Sequence, residues 1–139
     1  MDGYYISTDK GALDIDFIHH YLSEASYWAQ GRSKAVVQKS IENSFCFGVY
    51  TSGHEQVGFA RVLTDYSILF YLMDVFITEN HRKKGLSKYL METIVNHPEL
   101  QGFQRYMLAT HNAHSLYSQF GFESIKHPEW FMEIVNKPS

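Results

Sequence analysis

Residues Val75-Phe-Ile-Thr-Glu-Asn-His-Arg82-Lys-Lys-Gly85-Leu-Ser87-Lys-Tyr-Leu90 decide how this chain reads. An apolar strand enters a short polar turn, and a basic turn with one glycine then opens an amphipathic helix. The first turn of a helix leaves backbone N–H groups unpaired and carries partial positive charge, so it suits an anion. Gly85 permits close backbone approach, and Arg82, Lys83 and Lys84 add charge of the right sign. With the amides of Leu86 and Ser87, they read as a seat for a diphosphate.

The helix continues through Leu86, Leu90 and Ile94, and Pro98 ends it. Upstream, Ile68 to Thr78 is apolar on both faces, as in the middle of a sheet. Phe103 to Thr110 is another strand. Phe45, Phe47 and Val49 alternate, as do Val57 and Phe59 and, less cleanly, the run from Arg61. Thr51-Ser-Gly-His-Glu supplies a hairpin turn, which makes these two strands antiparallel. Tyr4 to Ser7 is a short first strand. Asp14 caps a helix bearing Ile15, Ile18 and Leu22 on one face, and Ser33 caps another with Val37 and Ile41. Ala113 to Phe120 is a short helix stopped by Gly121. Phe122–Ile125 and Trp130–Val135 read as closing strands. The order β-α-α-β-β-β-α-β-α-β-β, without repeats or linkers, predicts one α/β domain over residues 1–139.

Composition narrows the function classes. Hydrophobic residues make up 45% and charged residues 19%, with a formal net charge of −3, which fits an ordinary globular protein and argues against a nucleic-acid or membrane-surface partner. The basic cluster at 82–84 is therefore local. One cysteine, Cys46, leaves no internal disulfide, and its alternation with Phe45 and Phe47 reads as a buried thiol. No apolar run approaches the ~20 residues that span a bilayer, and the N-terminus lacks a signal pattern; a cytoplasmic location is the expectation. His19-His20 and His111-x-x-His114 lack the additional ligands a metal site needs, so no metal is expected.

Arg82-Lys-Lys-Gly85-Leu-Ser87 resembles the Arg/Gln-x-x-Gly-x-Gly/Ala signature of the GCN5-related N-acetyltransferase (GNAT) superfamily, with serine at the last position. Asn112-Ala-His-Ser-Leu-Tyr117-Ser-Gln-Phe-Gly121-Phe122 is similar to the family's Asn-x-x-x-x-Tyr-x-x-x-Gly-Phe segment. Both lie on the elements where the family has them, and the resemblance covers nearly the whole chain. It implies a GNAT fold: a central mixed, mostly antiparallel twisted sheet of about seven strands flanked by four helices, splayed between strands 4 and 5. It also implies acetyl-CoA as the donor, with its diphosphate on residues 82–87 and its arm along main-chain groups of Val75, Phe76 and Ile77. Asn112 is implied as a further contact to that arm, and it can equally be the N-cap of the helix that carries Tyr117.

Tyr117 stands where the family commonly has a general acid for the departing thiolate, and a phenol with an ordinary pKa of ~10 is protonated at neutral pH. Asp74 is a lone carboxylate in an apolar strand, where a charge is costly unless paired or used. It is the candidate base, with Glu79 behind it; the alternative is an ion pair with a basic side chain. Tyr27, Trp28 and Arg32 lie in the loop that borders the acceptor cleft in this family, and Arg32 can hold an anionic group there. The expected function is N-acetyl transfer to a primary amine of a small molecule, or secondarily of a protein. The alternative is a non-catalytic acyl-CoA-binding sensor of the same fold. Either a monomer or a homodimer is expected.

Overall fold

In a computed structural model that describes residues 1–136, five strands form one mixed sheet in sequence order. They are β1 (Tyr4–Ser7), β2 (Phe45–Thr51), β3 (Gln56–Thr64), β4 (Leu69–Ile77) and β5 (Arg105–Leu108). The first three joints are antiparallel and the last is parallel. At the hairpin turn the Thr51 N–H donates to the Glu55 carbonyl at 2.9 Å. The parallel joint needs a crossover, which α3 (Leu86–Val95) supplies. Its companions are α1 (Ile15–His20), prolonged by a wider turn at Tyr21–Ala25, α2 (Lys34–Glu42) and α4 (His114–Ser118). Both expected caps are formed: Asp14 accepts from the Phe17 N–H and Ser33 from the Val36 N–H.

The sheet is covered on both faces. Leu86, Leu90, Met91 and Ile94 of α3 pack on Phe47, Val49, Val62, Phe70 and Leu72. On the other side Ile18, Leu22, Val37 and Ile41 enclose Cys46, Phe59 and Phe76. Burial pushes the Cys46 thiol up to about 11. Among the described residues no helix is long and apolar enough to cross a membrane.

One irregularity sets the rest of β4. The β3–β4 ladder runs Phe59↔Phe76 and then Arg61↔Met73, so β4 carries one extra residue. Asp74 sits at this bulge with φ 54, in the left-handed region. Few non-glycine residues enter that region, and aspartate is one of the better tolerated. The extra residue inverts the alternation. Phe70 and Leu72 belong to the α3 core before it, whereas beyond it Ile77 does so and Phe76 turns toward α1 and α2.

The strand count departs from the expected seven. Phe122–Ile125 and Trp130–Val135 form no strand, and Trp130 instead closes a short 3-10 turn, Pro128–Trp130. Their residues have the composition of strands, but a strand exists only through a partner's hydrogen bonds. Nothing among the described residues pairs with the outer side of β5.

Gly58 shows how tightly β3 is held between its neighbours. A Cβ there would lie 2.6 Å from Ile77 Cδ1 and 3.0 Å from the Phe76 carbonyl oxygen. Backbone cannot move aside as a side-chain tip does. Gly58→Ala is expected to cost about 1–3 kcal/mol by overpacking, measurable as a lower urea midpoint with an unchanged slope.

Candidate active site

β4 and β5 pair only from Leu69↔Arg105 to Leu72↔Leu108. Beyond Leu72 they part, so among the described residues β4 has no strand on that side from Met73 onward. The gap is a cleft of about 580 Å³. Its walls come from the loop after α1 (Tyr27, Trp28, Arg32), from β4 (Tyr71 to Val75), and from the segment between β5 and α4 (Leu108 to Ala113), with Tyr117 at its side. Of the three β4 residues expected along a donor arm, Val75 lines the cleft while the Phe76 and Ile77 side chains are buried in the core. Their contribution to a ligand is confined to the main chain.

The carboxylate of Asp74 is fully enclosed and bonded on both oxygens. Arg61 Nε donates to Oδ2 at 2.7 Å, Arg32 Nη1 to the same oxygen at 3.0 Å, and Trp28 Nε1 to Oδ1 at 2.9 Å. Arg61 also donates to Ser44 Oγ at 3.1 Å. The side chains of Arg61 and Asp74 are 8% and 1% exposed, whereas Arg32 is 21% exposed and reaches the cleft. Two guanidinium charges against one carboxylate leave this cluster one net positive charge. Arg61 is the residue that sequence reasoning missed. The signal was present: a single arginine in one apolar strand and a single aspartate in the next, joined by a short turn.

Tyr27 closes the cleft at its top. The His111 N–H donates to the Tyr27 hydroxyl at 3.2 Å, and the two rings meet edge-on with centroids 5.4 Å apart. Asn112 is exposed at the cleft wall. The cap position of α4 is Ala113, whose N–H donates to Thr110 Oγ1 at 3.1 Å. This leaves the Asn112 side chain out of capping.

Tyr117 on α4 is 8% exposed and borders both this cleft and a hollow behind β5. Burial first, and neighbouring Tyr27 second, hold its phenol above the ordinary value. It therefore stays protonated at neutral pH. Glu79 lies exposed in the turn after β4 and does not reach the cleft.

The anion seat lies past the end of β4, outside the cleft lining. Lys83 and Gly85 both have left-handed backbone, φ 63 and φ 84. A Cβ on Gly85 would meet nothing within 4 Å, so glycine is required by conformation rather than by space. α3 starts with no side-chain cap, and its first bond runs from the Tyr89 N–H to the Gly85 carbonyl at 3.0 Å. The amides of Leu86, Ser87 and Lys88 thus remain available to an anion. Lys83 and Lys84 are exposed, and the Leu86 side chain is buried under the sheet. Arg82 is committed: Nε donates to the Ile77 carbonyl at 2.9 Å and Nη2 to the Tyr21 hydroxyl at 2.8 Å. It braces the turn against the α1 side and contributes its charge from there.

A sequence profile described as the Acetyltransferase (GNAT) family matches residues 15–122, which takes in the seat, the cleft and Tyr117. The chain belongs to the GNAT acetyltransferase family. Its fold is closely similar to a crystal structure from Xanthomonas campestris pv. campestris of a candidate acetyltransferase assigned to the same family, at TM-score 0.93 and 43% identity over 98% of this chain and 95% of that one. A candidate acetyltransferase of Gibberella zeae is 30% identical over 128 residues, 77% of this chain and 71% of its own length. The fold alone is shared with a GNAT family acetyltransferase from Elizabethkingia anophelis solved with acetyl-CoA bound, at TM-score 0.67 and 12% identity, covering 99% of this chain and 90% of that one.

The ion cluster yields a stability prediction. Asparagine tolerates left-handed backbone as aspartate does, so Asp74→Asn removes charge without a backbone penalty. Left with buried Arg61 uncompensated, this variant is expected to lose roughly 3–5 kcal/mol in denaturant unfolding. The double variant Arg61→Met/Asp74→Asn is expected to recover a large part of that loss.

Proposed function

We propose that this GNAT protein transfers the acetyl group of acetyl-CoA to the primary amine of a small molecule by direct attack. The parting of β4 from β5 beyond Leu72 carries this reading, because it opens unpaired strand main chain and the Tyr117 phenol to one cleft. The residues fit the donor. Amides of Leu86, Ser87 and Lys88, with Lys83 and Lys84, suit a diphosphate, and the free side of β4 at Val75–Ile77 suits an extended amide-bearing arm. Bound there, acetyl-CoA supplies an activated acetyl thioester.

The chain's own groups divide the work. Tyr117, protonated and buried at the cleft wall, donates a hydrogen bond toward the position of the sulfur. With its pKa raised it gives up its proton reluctantly. The proton that finally neutralises the thiolate is then the one shed by the acceptor nitrogen as its new amide forms. Asp74 acts as a positioning residue: both its oxygens already accept from cationic or indole donors, and its side chain is only 1% exposed, so it is poorly placed to take a proton from an amine. It fixes Arg32 and Trp28 at the acceptor side. A net positive charge beside the cleft disfavours a second cation and favours an acceptor that carries a carboxylate or phosphate near its amine, held by Arg32.

A thiol-release assay over paired amines, with and without an anionic group, tests the reading. Anionic members are expected to be the better substrates, and Arg32→Ala to raise their KM while leaving neutral amines unaffected. No release with any amine, despite saturable acetyl-CoA binding, would favour the sensor alternative. Tyr117→Phe, which removes a hydrogen-bond donor to developing charge, is expected to lower kcat by roughly 10²-fold at nearly constant KM for the donor. In Asp74→Asn the acidic limb of the pH–rate profile is expected to persist, since the carboxylate is not the base.

A further inference from the structure

The side chains in the cleft lining that can carry a charge are Tyr27, Arg32, Tyr71, Asp74, His111 and Tyr117. Transfer to a strongly basic amine asks one of them to take a proton. Such an amine arrives as an ammonium, which has no lone pair with which to attack. Arg32 is a permanent cation. The Asp74 carboxylate is 1% exposed and already accepts from three donors. The tyrosines are phenols, which ordinarily keep their protons at neutral pH, and burial holds that of Tyr117 above its ordinary value. Only His111 remains. Imidazole is the side chain whose ordinary titration falls closest to neutral pH.

The fold also puts this histidine in a defined place. In sequence it is matched by His114, but the two part company: His111 lines the cleft, and His114 lines a separate hollow behind β5. The His111 N–H is tied to the Tyr27 hydroxyl at 3.2 Å, and its ring meets Tyr27 edge-on with centroids 5.4 Å apart. Tyr27 in turn stands edge-on to Trp28 at 5.0 Å, and Trp28 is bonded to Asp74. The same Tyr27 is the neighbour that helps raise the Tyr117 phenol. One ring thus has the imidazole, the phenol and the anchored acceptor loop around it. His111 is exposed, and among the described residues its only hydrogen bond is made by the main chain, so both ring nitrogens are free.

We propose that His111 is the general base of the transfer, a ring nitrogen taking one proton from the acceptor's ammonium before that nitrogen attacks. This role rests on the amine transfer proposed above, in which no group yet accepts that proton. The ammonium starts with three protons. One passes to the imidazole and leaves the imidazolium for water, to which His111 is open. The freed lone pair forms the N–C bond to the thioester carbonyl as the C=O pair moves onto oxygen. When that pair returns, the C–S bond breaks with its electrons on sulfur, and the second proton of the nitrogen neutralises the thiolate beside Tyr117. The third stays on the amide. The groups that face the imidazole around the cleft are Tyr27 and Arg32 from the loop after α1, Tyr71 and Asp74 from β4, and Tyr117 from α4. The net positive charge of the Asp74 cluster favours loss of the ammonium proton.

His111→Gln keeps the main-chain N–H that Tyr27 holds and removes the titrating ring. Circular dichroism and acetyl-CoA titration check that fold and donor binding are retained. kcat/KM is then followed against pH for both proteins, with the best strongly basic amine from the thiol-release panel. At neutral pH the variant is expected to lose roughly 10²-fold. The loss is expected to shrink as pH rises through the amine's own titration, because the free base then needs no help. An unchanged rate, or a loss that stays constant across pH as a structural role would give, overturns the assignment and leaves the transferase reading standing. No thiol release by the unaltered chain with any amine overturns both.

Discussion

The carboxylate of Asp74 holds together parts of the chain that would otherwise have no reason to meet. It lies in the middle of the sheet, takes bonds from Arg61 on the adjacent strand, and reaches Arg32 and Trp28 in the loop beyond α1. A charge buried to this degree persists only when well compensated, so a drift of the loop would strip the carboxylate of two of its three donors and leave Arg61 alone to hold it. The bulge that delivers the side chain also reverses the facing of the β4 residues after it. The same strand can therefore serve the α3 core at one end and the α1–α2 core at the other.

The two halves of the site are built on different logics. At the proposed donor end the exposed features are backbone: free amides at the start of α3, left-handed Lys83 and Gly85, and the unpaired side of β4. Such a surface reads shape and charge and tolerates changes of side chain. At the proposed acceptor end they are side chains: Tyr27, Trp28 and Arg32 are positioned by bonds to His111 and Asp74. In the proposed reading, selectivity toward the acceptor rests on this second half.

Local chemistry was legible in the sequence and pairing across the sheet was not. Asp14 and Ser33 announce their helices because a cap is a contact over three residues. The turn at Thr51–Glu55 and the seat after β4 are similarly local. The meeting of Arg61 with Asp74 depends on a register with an extra residue in it, and nothing in either strand's own pattern encodes that slip. Asn112 fits a helix-cap pattern, yet the chain caps one residue later at Ala113. The closing strands failed for the converse reason. Residues 131–135 have strand chemistry, but whether a segment becomes a strand is decided by a neighbour that its own sequence does not contain.

The single cysteine gains significance beside a catalyst of this kind. Under the proposed function, each turnover would liberate a free mercaptan from the cleft. An accessible thiolate nearby would invite mixed disulfides under oxidising stress and progressive self-poisoning. Cys46 lies between the sheet and the α1–α2 layer, 2% exposed, with its thiol held un-ionised far above neutral pH. The folded chain thus offers no reactive thiol of its own, so in the proposed reaction colour from a thiol reagent would report the released coenzyme alone.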